Sequence, residues 1–287
     1  MEVKFYEDIN EFYNLVLPFL LEREAENTLL FSILDAIKRN PTRYGEDKPI
    51  LIVVRDGNSI IKHVSLRTPP FRLVLAYTDN LDTIAVLAKE LLKRNMEIPG
   101  VVGFKEGVKI FTQLWCETKN LIHSLIRNER IYQLDKVVEE TLGKITFIIG
   151  GKSHQPLILE WTKEFILEAL SESDDTYIEA GQKRRIDDIK NEKIFLLLDN
   201  NEVVSMARKA GKTPNGNLVN LVYTPPKLRK RGYATECVAK LSKYLLEEGN
   251  QFCFLFTDLM NPTSNSIYQK IGYRPVIDVD EYQFLPK

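Results

Sequence analysis

The stretch that decides the fold reads Leu221-Val-Tyr-Thr-Pro-Pro-Lys-Leu-Arg-Lys-Arg-Gly-Tyr-Ala-Thr235. A run of β-forming residues ends at a double proline, and the chain then enters a helical pattern through Arg229-x-x-Gly232-x-Ala234. Gly232 and Ala234 let an anion approach the backbone N–H groups, and the helix that follows adds the positive end of its dipole. Arg229, Lys230 and Arg231 bring three cations to the same turn. The stretch therefore predicts a loop that binds a pyrophosphate.

A second motif lies downstream, after the apolar run Phe252-Cys-Phe-Leu-Phe256. It reads Asp258-Leu-Met-Asn261-Pro-Thr-Ser-Asn265-Ser-Ile-Tyr268-Gln-Lys-Ile271-Gly272-Tyr273. Asn followed by Pro predicts a helix N-cap with proline in the first helical position, and Gly272 predicts the end of that helix. Isoleucines one turn apart predict its buried side. Another side carries Asn261, Ser264, Asn265 and Tyr268.

Together the two motifs resemble the GNAT superfamily of acyl-CoA-dependent N-acetyltransferases. The resemblance covers roughly residues 145–287 and is dense over 218–273. It implies a bulged strand, ending at Val222–Tyr223, whose amides bind the pantetheine and the acyl carbonyl of acetyl-CoA. It implies that Arg229 through Thr235 bind the pyrophosphate and that Tyr268 protonates the departing thiolate. The full set of implied cofactor-binding residues is Leu221, Val222, Tyr223, Arg229, Lys230, Arg231, Gly232, Tyr233, Ala234, Thr235, Asn261, Ser264, Asn265 and Tyr268.

The segments around the motifs predict an α/β fold with a mixed, mostly antiparallel sheet. Residues 145–149 are expected to form a strand and Gln155–Leu170 a helix, and Tyr233–Glu248 has the spacing of an amphipathic helix. Turn residues at Asp199–Glu202 predict a hairpin between two apolar runs.

The first half repeats this order of elements: strand, helices, three strands, helix, strand, helix. A chain of 287 residues also suggests two domains. We therefore predict two GNAT-like domains in tandem, each a twisted sheet flanked by helices, over residues 1–130 and 131–287. Residues 117–144 are expected to connect the halves, with Arg130–Leu134 as a candidate strand shared between the sheets.

The N-terminal domain is predicted to be degenerate. Its loop at the corresponding position, Thr78-Asp-Asn-Leu-Asp-Thr83, has two carboxylates and no glycine, so it would repel a pyrophosphate. The alternative is a second active site. A silent domain would instead shape the acceptor cleft or an oligomer interface, or deliver the enzyme to a protein substrate.

Composition excludes several classes of function. The chain has 39 Lys and Arg against 40 Asp and Glu, a net charge of −1, which argues against a nucleic-acid or anionic-membrane partner. No apolar run approaches the roughly 20 residues of a membrane span, and the acidic N-terminus is unlike a signal peptide, so a cytoplasmic location is expected. No metal site is predicted, because metal-ligand spacing is absent among Cys116, Cys237, Cys253, His63, His123 and His154.

Amide formation requires a base for the amine, a donor for the tetrahedral oxyanion and a proton for the leaving thiolate. The oxyanion donor is expected to be the backbone N–H near Val222 or Tyr223, and the acid is Tyr268 by the resemblance. Asp258 is the first candidate base, with Glu202, Glu179 or water as alternatives. Asn220 interrupts an apolar strand and either faces the acceptor or bonds a neighbouring strand.

The sequence thus predicts an N-acetyltransferase that moves an acetyl group from acetyl-CoA to a primary amine by direct attack in a ternary complex. The alternative is a catalytically silent acyl-CoA-binding sensor or scaffold protein. The acceptor is expected to be a small-molecule, peptide or protein amine, and the pattern is compatible with a homo-oligomer. No motif selects the acceptor or the acyl-chain length.

Overall fold

The computed structural model describes residues 1–169 and 173–287. Within these residues, the strands are β1 (Glu2–Tyr6), β2 (Ile50–Arg55), β3 (Ile61–Arg67), β4 (Leu73–Leu75), β5 (Gly100–Phe104), β6 (Leu121–Leu134), β7 (Thr146–Ile149), β8 (Ile194–Asp199), β9 (Glu202–Lys212), β10 (Gly216–Tyr223), β11 (Phe252–Asp258) and β12 (Arg274–Pro286). The α-helices are α1 (Ile9–Leu21), α2 (Thr28–Arg39), α3 (Asp82–Lys93), α4 (Lys105–Lys119), α5 (Gln155–Ala169), α6 (Asp175–Lys190), α7 (Tyr233–Glu247) and α8 (Pro262–Ile271).

All twelve of these strands belong to one sheet, and among the described pairings only β4 with β5 and β10 with β11 are parallel. Alternate residues of a strand point to opposite faces, so each half has one core on either side of the sheet. In β8, Phe195 packs in the core under α7 and α8, whereas Leu196 packs in the core under α5. The predicted α/β class, with a mostly antiparallel mixed sheet flanked by helices, is confirmed.

The same order of elements occurs twice, as predicted. Strand, two helices, three strands, helix, strand, helix and strand run from β1 to β6 and again from β7 to β12. Two of these elements were missed by the sequence interpretation. The last strand β12 was not assigned, and α6 was not assigned because its sixteen residues bury few apolar side chains. The predicted helix Gln155–Leu170 is present as α5, and Leu170 lies outside the described residues.

The last strands of the two halves are exchanged. The order across the sheet is β1-β2-β3-β4-β5-β12-β6-β11-β10-β9-β8-β7. The N-terminal half is therefore completed by β12, whose Phe284 stacks on Phe111 with ring centroids 6.5 Å apart. The C-terminal half is completed by β6, which places Tyr132 and Leu134 in the core beneath α7 and α8.

The candidate shared strand Arg130–Leu134 is the end of β6, which pairs with β11 on one side and with β12 on the other. The predicted boundary between residues 130 and 131 falls inside this continuous strand. The division into a degenerate domain and a catalytic domain stays a prediction, but the two halves share one sheet.

Candidate active site

The two central parallel strands separate where the acyl group is predicted to bind. β10 pairs with β11 only from Gly216 to Leu218, opposite Phe252 to Phe254. On its other side, the pairing with β9 shifts between Asn220 and Tyr223, and Leu221 has a φ of 50°. A positive φ at a non-glycine residue within a strand marks a bulge. The bulge implied by the resemblance is present, and its binding of an acyl group stays a prediction.

The predicted pyrophosphate loop turns sharply into α7. Lys230 has a φ of 64°, and Gly232, the N-cap of α7, has a φ of 84°. A β-carbon added to Gly232 would meet nothing within 4 Å, so the space above the loop is open and only the backbone angle favours glycine. The first N–H groups of a helix have no partners within the helix. Those of α7 begin at Tyr233, Ala234 and Thr235, where an anion would bind.

The side chains of this loop do not all face outward. Nη1 and Nη2 of Arg229 donate to the two carboxylate oxygens of Glu168 in α5, at 2.7 and 2.6 Å, and Nε donates to the Thr224 carbonyl at 2.9 Å. The hydrogen bond to Glu168 raises the pKa of Arg229 above its ordinary value. Arg229 thus fixes the loop to α5, whereas Lys230 and Arg231 are exposed.

The side chain of Tyr233, one of the implied cofactor-binding residues, is engaged within the protein. Its side chain is buried in the core under α7, and its hydroxyl donates to Oδ2 of Asp199 at 2.6 Å. Only the backbone N–H of Tyr233 remains a candidate for the anion site.

The second motif forms α8 as predicted. Oδ1 of Asn261 accepts a hydrogen bond from the Ser264 N–H at 3.0 Å, Pro262 is the first helical residue, and Gly272 ends the helix with a φ of 115°. Asn265 bonds within the protein. Its Nδ2 donates to the carbonyls of Asp258 and Asn261, and its Oδ1 accepts from the Tyr132 hydroxyl. Asn265 therefore connects α8 to β6 and β11. Its side chain could contact a cofactor, as predicted, only after giving up some of these hydrogen bonds.

Tyr268 lies in the core between α8 and the sheet, with its ring 6.4 Å from that of Tyr132 and 6.0 Å from that of Tyr273. Burial raises the pKa of Tyr268 to about 12, and a hydrogen bond with Ser264 partly opposes the shift. A thiol has a pKa of about 8.5, so full transfer of the phenolic proton from Tyr268 to a thiolate would cost roughly 5 kcal/mol. Tyr268 is better suited to donate a hydrogen bond to a leaving thiolate than to ionise.

Asp258 ends β11 and caps the following turn. Its Oδ1 accepts a hydrogen bond from the Met260 N–H at 2.7 Å. The other candidate bases, Glu202 at the start of β9 and Glu179 in α6, are exposed. Asp258 therefore caps this turn, and its role as a base stays a prediction.

Glu129 is a carboxylate that the sequence interpretation missed. It lies directly opposite Asp258 in the pairing of β6 with β11. Among the described residues, no hydrogen bond or ion pair engages its side chain. Burial raises the pKa of Glu129, Arg127 opposes this shift, and Glu281 and Asp258 add to it. A carboxyl group with a raised pKa beside the separated strands is a better base than a capped aspartate. The sequence interpretation did not consider Glu129 as a base because residues 117–144 were expected only to connect the two halves.

In the N-terminal half, the position that corresponds to the predicted acyl site is occupied by a side chain of the protein itself. The Tyr77 N–H, just beyond β4, donates to Oδ1 of Asn27 at 2.9 Å, and Nδ2 of this buried asparagine donates to the Leu20 carbonyl. The amide that would face an acyl group in this half already has a partner. This contact agrees with a degenerate N-terminal domain, which stays a prediction.

The N-terminal half also covers part of the C-terminal sheet. Ala25, in the connection between α1 and α2, packs with Leu218 and Phe254. Both carboxylate oxygens of Glu24 accept hydrogen bonds from Asn215 at 2.8 Å. The α1–α2 connection therefore lies against the strands that separate at the predicted acyl site.

The fold and these motifs agree with comparisons to known proteins. Residues 197–283 match the family model described as FR47-like protein. The structure is similar to that of an acetyltransferase of the GNAT family from Colwellia psychrerythraea, with a TM-score of 0.58, 12% identity and 100% of both chains covered. The chain has the GNAT fold. The resemblance inferred from the two motifs is thereby confirmed for the fold.

Two further solved structures are similar to the chain over most of its length. A Drosophila protein has a TM-score of 0.67 at 12% identity, with 99% of this chain and 98% of that chain covered. A GCN5-related N-acetyltransferase from Sphaerobacter thermophilus has a TM-score of 0.54 at 14% identity, with 83% and 81% covered. No curated protein sequence matches the chain. Within the two described ranges, every helix is too short or too polar to cross a bilayer.

Proposed function

We propose that this GNAT-fold chain transfers an acetyl group from acetyl-CoA to a primary amine by direct attack in a ternary complex. Residues 131–287, together with Glu129 on the shared strand β6, carry the chemistry, and the rest of the degenerate residues 1–130 complete the sheet and shape the acceptor cleft. The observation that carries the proposal is the open, positive-φ loop at Gly232, which starts α7 beside the separated ends of β10 and β11. A phosphate-binding turn and an acyl-binding bulge on the same strand–loop–helix unit are what a CoA thioester requires.

The donor is held mainly by backbone groups. Amides of Leu221, Val222 and Tyr223 bind the pantetheine and the acyl carbonyl, and they stabilise the oxyanion that forms there. Lys230, Arg231 and the amides from Gly232 to Thr235 bind the pyrophosphate, while Arg229 orients the loop. Asn261, Ser264 and Asn265 place α8 at the thioester end.

Three groups move or hold protons. Glu129 takes a proton from the substrate ammonium, with Asp258 or water as weaker alternatives, and the freed nitrogen lone pair forms a bond to the acyl carbon. The tetrahedral intermediate then breaks its C–S bond, and the electron pair leaves on sulfur. Tyr268 donates a hydrogen bond to that thiolate, and the proton that the attacking nitrogen loses on becoming an amide passes to the thiolate directly or through solvent.

Calorimetric titration of acetyl-CoA tests the donor site with a matched pair of variants. Gly232→Glu puts bulk and negative charge into the loop, whereas Gly249→Glu puts the same side chain at the other end of α7. Gly249 also has a positive φ, 95°, and open space around its β-carbon, so both variants carry similar backbone strain.

We expect Gly232→Glu to weaken acetyl-CoA binding at least about tenfold, or 1.4 kcal/mol, and Gly249→Glu to bind like the wild type. Equal affinities of the two variants for acetyl-CoA would show that the pyrophosphate does not bind at this loop. Absence of binding to the wild type would overturn the proposal. Sustained CoA release with a panel of amines, measured by thiol titration, distinguishes an enzyme from a silent sensor.

A further inference from the structure

Two arginines share one carboxylate next to the predicted acyl site. Arg208 of β9 bonds Asp188 of α6 through Nε and Nη2, at 2.9 and 3.0 Å. Nε of Arg185, also in α6, lies 2.9 Å from the same carboxylate but makes no hydrogen bond. The side chains of Arg185 and Asp188 are only 11% and 8% exposed. Among the described residues, this pair of nearly buried guanidinium groups thus has one carboxylate, that of Asp188, as its counter-ion.

The surroundings add positive charge. Burial, followed by repulsion from Arg208, lowers the pKa of Arg185 to about 10, and Asp188 only partly opposes the shift. Other charged groups also act on Arg185 and on neighbouring Lys193. They are Arg39 in α2, Arg43 in the loop after α2, and Arg184 and Asp188 in α6. Arg39 is itself paired with Asp35. Desolvated cations without equal countercharge cost free energy, which an anionic ligand would recover.

This cationic cluster adjoins the bulge of β10. Arg208 lies opposite Asn220 in the β9–β10 pairing, and its Nη1 donates to the Asn220 side-chain oxygen at 3.3 Å. Asn220 is exposed and directly precedes Leu221, the bulge residue. Successive Cα atoms are about 3.8 Å apart, so Asn220 lies within roughly 8 Å of Val222 along the strand. Through its contact with Asn220, Arg208 therefore lies near enough for one small molecule to touch both Arg208 and the predicted acyl site.

We propose that Arg208, Arg185 and Asn220 form a carboxylate subsite, so that the acceptor is a free amino acid or a related amino carboxylate. This inference rests on the proposed acetyl transfer. Arginine presents a planar fork that matches a carboxylate, and Asn220 supplies a further donor at the mouth of the subsite. A protein lysine brings no carboxylate to its amine at this spacing, so it does not use the cluster.

The test compares free amino acids with their carboxamides, which keep the amine but lose the negative charge. CoA release is followed with acetyl-CoA saturating. We expect kcat/KM for the preferred amino acid to exceed that for its carboxamide by about 100-fold. Arg208→Gln should remove this preference by lowering kcat/KM for the acid alone. Lys212→Gln, at the exposed far end of β9, is the matched control and should behave like the wild type.

Asn220→Asp provides a second variant in case Arg208→Gln fails to fold. Its new carboxylate would occupy the subsite from an exposed position, and we expect KM for the amino acid to rise at least about tenfold while acetyl-CoA affinity is unchanged. Equal turnover of acid and carboxamide by the wild type, or equal losses for both in the variants, would overturn the subsite.

Calorimetric titration of the same amino acids into the chain with acetyl-CoA separates this inference from the transferase proposal. Binding of the acid but not the carboxamide, without CoA release, would support the subsite and count against catalysis. Acetyl-CoA binding and carboxamide turnover without any preference for the acid would support catalysis and reject the subsite.

Discussion

Replacing Phe284 with alanine tests the exchange of the last strands, because this side chain belongs to β12 but fills the core of the N-terminal half. Phe284 is 7% exposed and stacks on Phe111. Burying an aromatic side chain removes about 150–250 Å² from water, worth roughly 4–6 kcal/mol at 25 cal/mol per Å². Alanine retains part of that burial, so we expect a loss of about 3–5 kcal/mol.

The two tryptophans allow each half to be followed separately. Trp115 is buried in the N-terminal half and Trp161 in the C-terminal half. The variants Trp115→Phe and Trp161→Phe leave one probe each, and both should report the same thermal midpoint because the halves share β6 and β12. At about 2–4 °C per kcal/mol, Phe284→Ala should lower both midpoints together by on the order of 10 °C.

A substitution on the same strand pair serves as the control. Leu125 lies opposite Tyr282 in the β6–β12 pairing and is 49% exposed, so Leu125→Ala should change stability by less than about 1 kcal/mol. If Phe284→Ala lowered only the Trp115 midpoint and left Trp161 unchanged, the halves would unfold independently and the reasoning from strand exchange would be refuted.

Two further predictions concern buried titratable side chains. Tyr268→Phe should lower kcat by about 100-fold at unchanged acetyl-CoA affinity, because phenylalanine packs similarly but donates no hydrogen bond; steady-state kinetics as fast as those of the wild type would exclude Tyr268 from the reaction. Burial lowers the pKa of His63 from 6.5 to about 3, so below pH 6.5 the unfolded chain takes up a proton that the folded chain does not. Stability should therefore fall by about 3 kcal/mol between pH 7 and pH 4. Urea unfolding of His63→Gln should lack most of that loss, and an undiminished loss in this variant would show that His63 is not its cause.

The features that the sequence predicted well are those controlled within a few residues. The turn at Gly232 and the helix from Asn261 to Gly272 depend on backbone angles and caps that neighbouring residues determine. The repeated order of elements also follows from local apolar patterns. These local features are sufficient to predict the GNAT fold without any long-range contact.

The features that were missed depend on partners distant in the sequence. Nothing near β12 indicates that it pairs with β5, and nothing in the loop indicates that Arg229 bonds Glu168. Glu129 gains its raised pKa only when folding buries it beside Asp258 and Glu281. The buried charges of α6 hid its pattern, because Arg185 and Asp188 occupy inward positions where apolar residues are expected.

Strand exchange also sets the order in which a nascent chain finishes folding. β5 ends at Phe104, but the strand that pairs with it begins at Arg274, about 170 residues later. At 5–20 residues per second, a ribosome needs roughly ten to thirty seconds to synthesise that interval. Until then the edge of β5 has no partner, and an unpaired strand edge is a template for aggregation. The emerging N-terminal half is thus exposed to aggregation at β5 until β12 has been made.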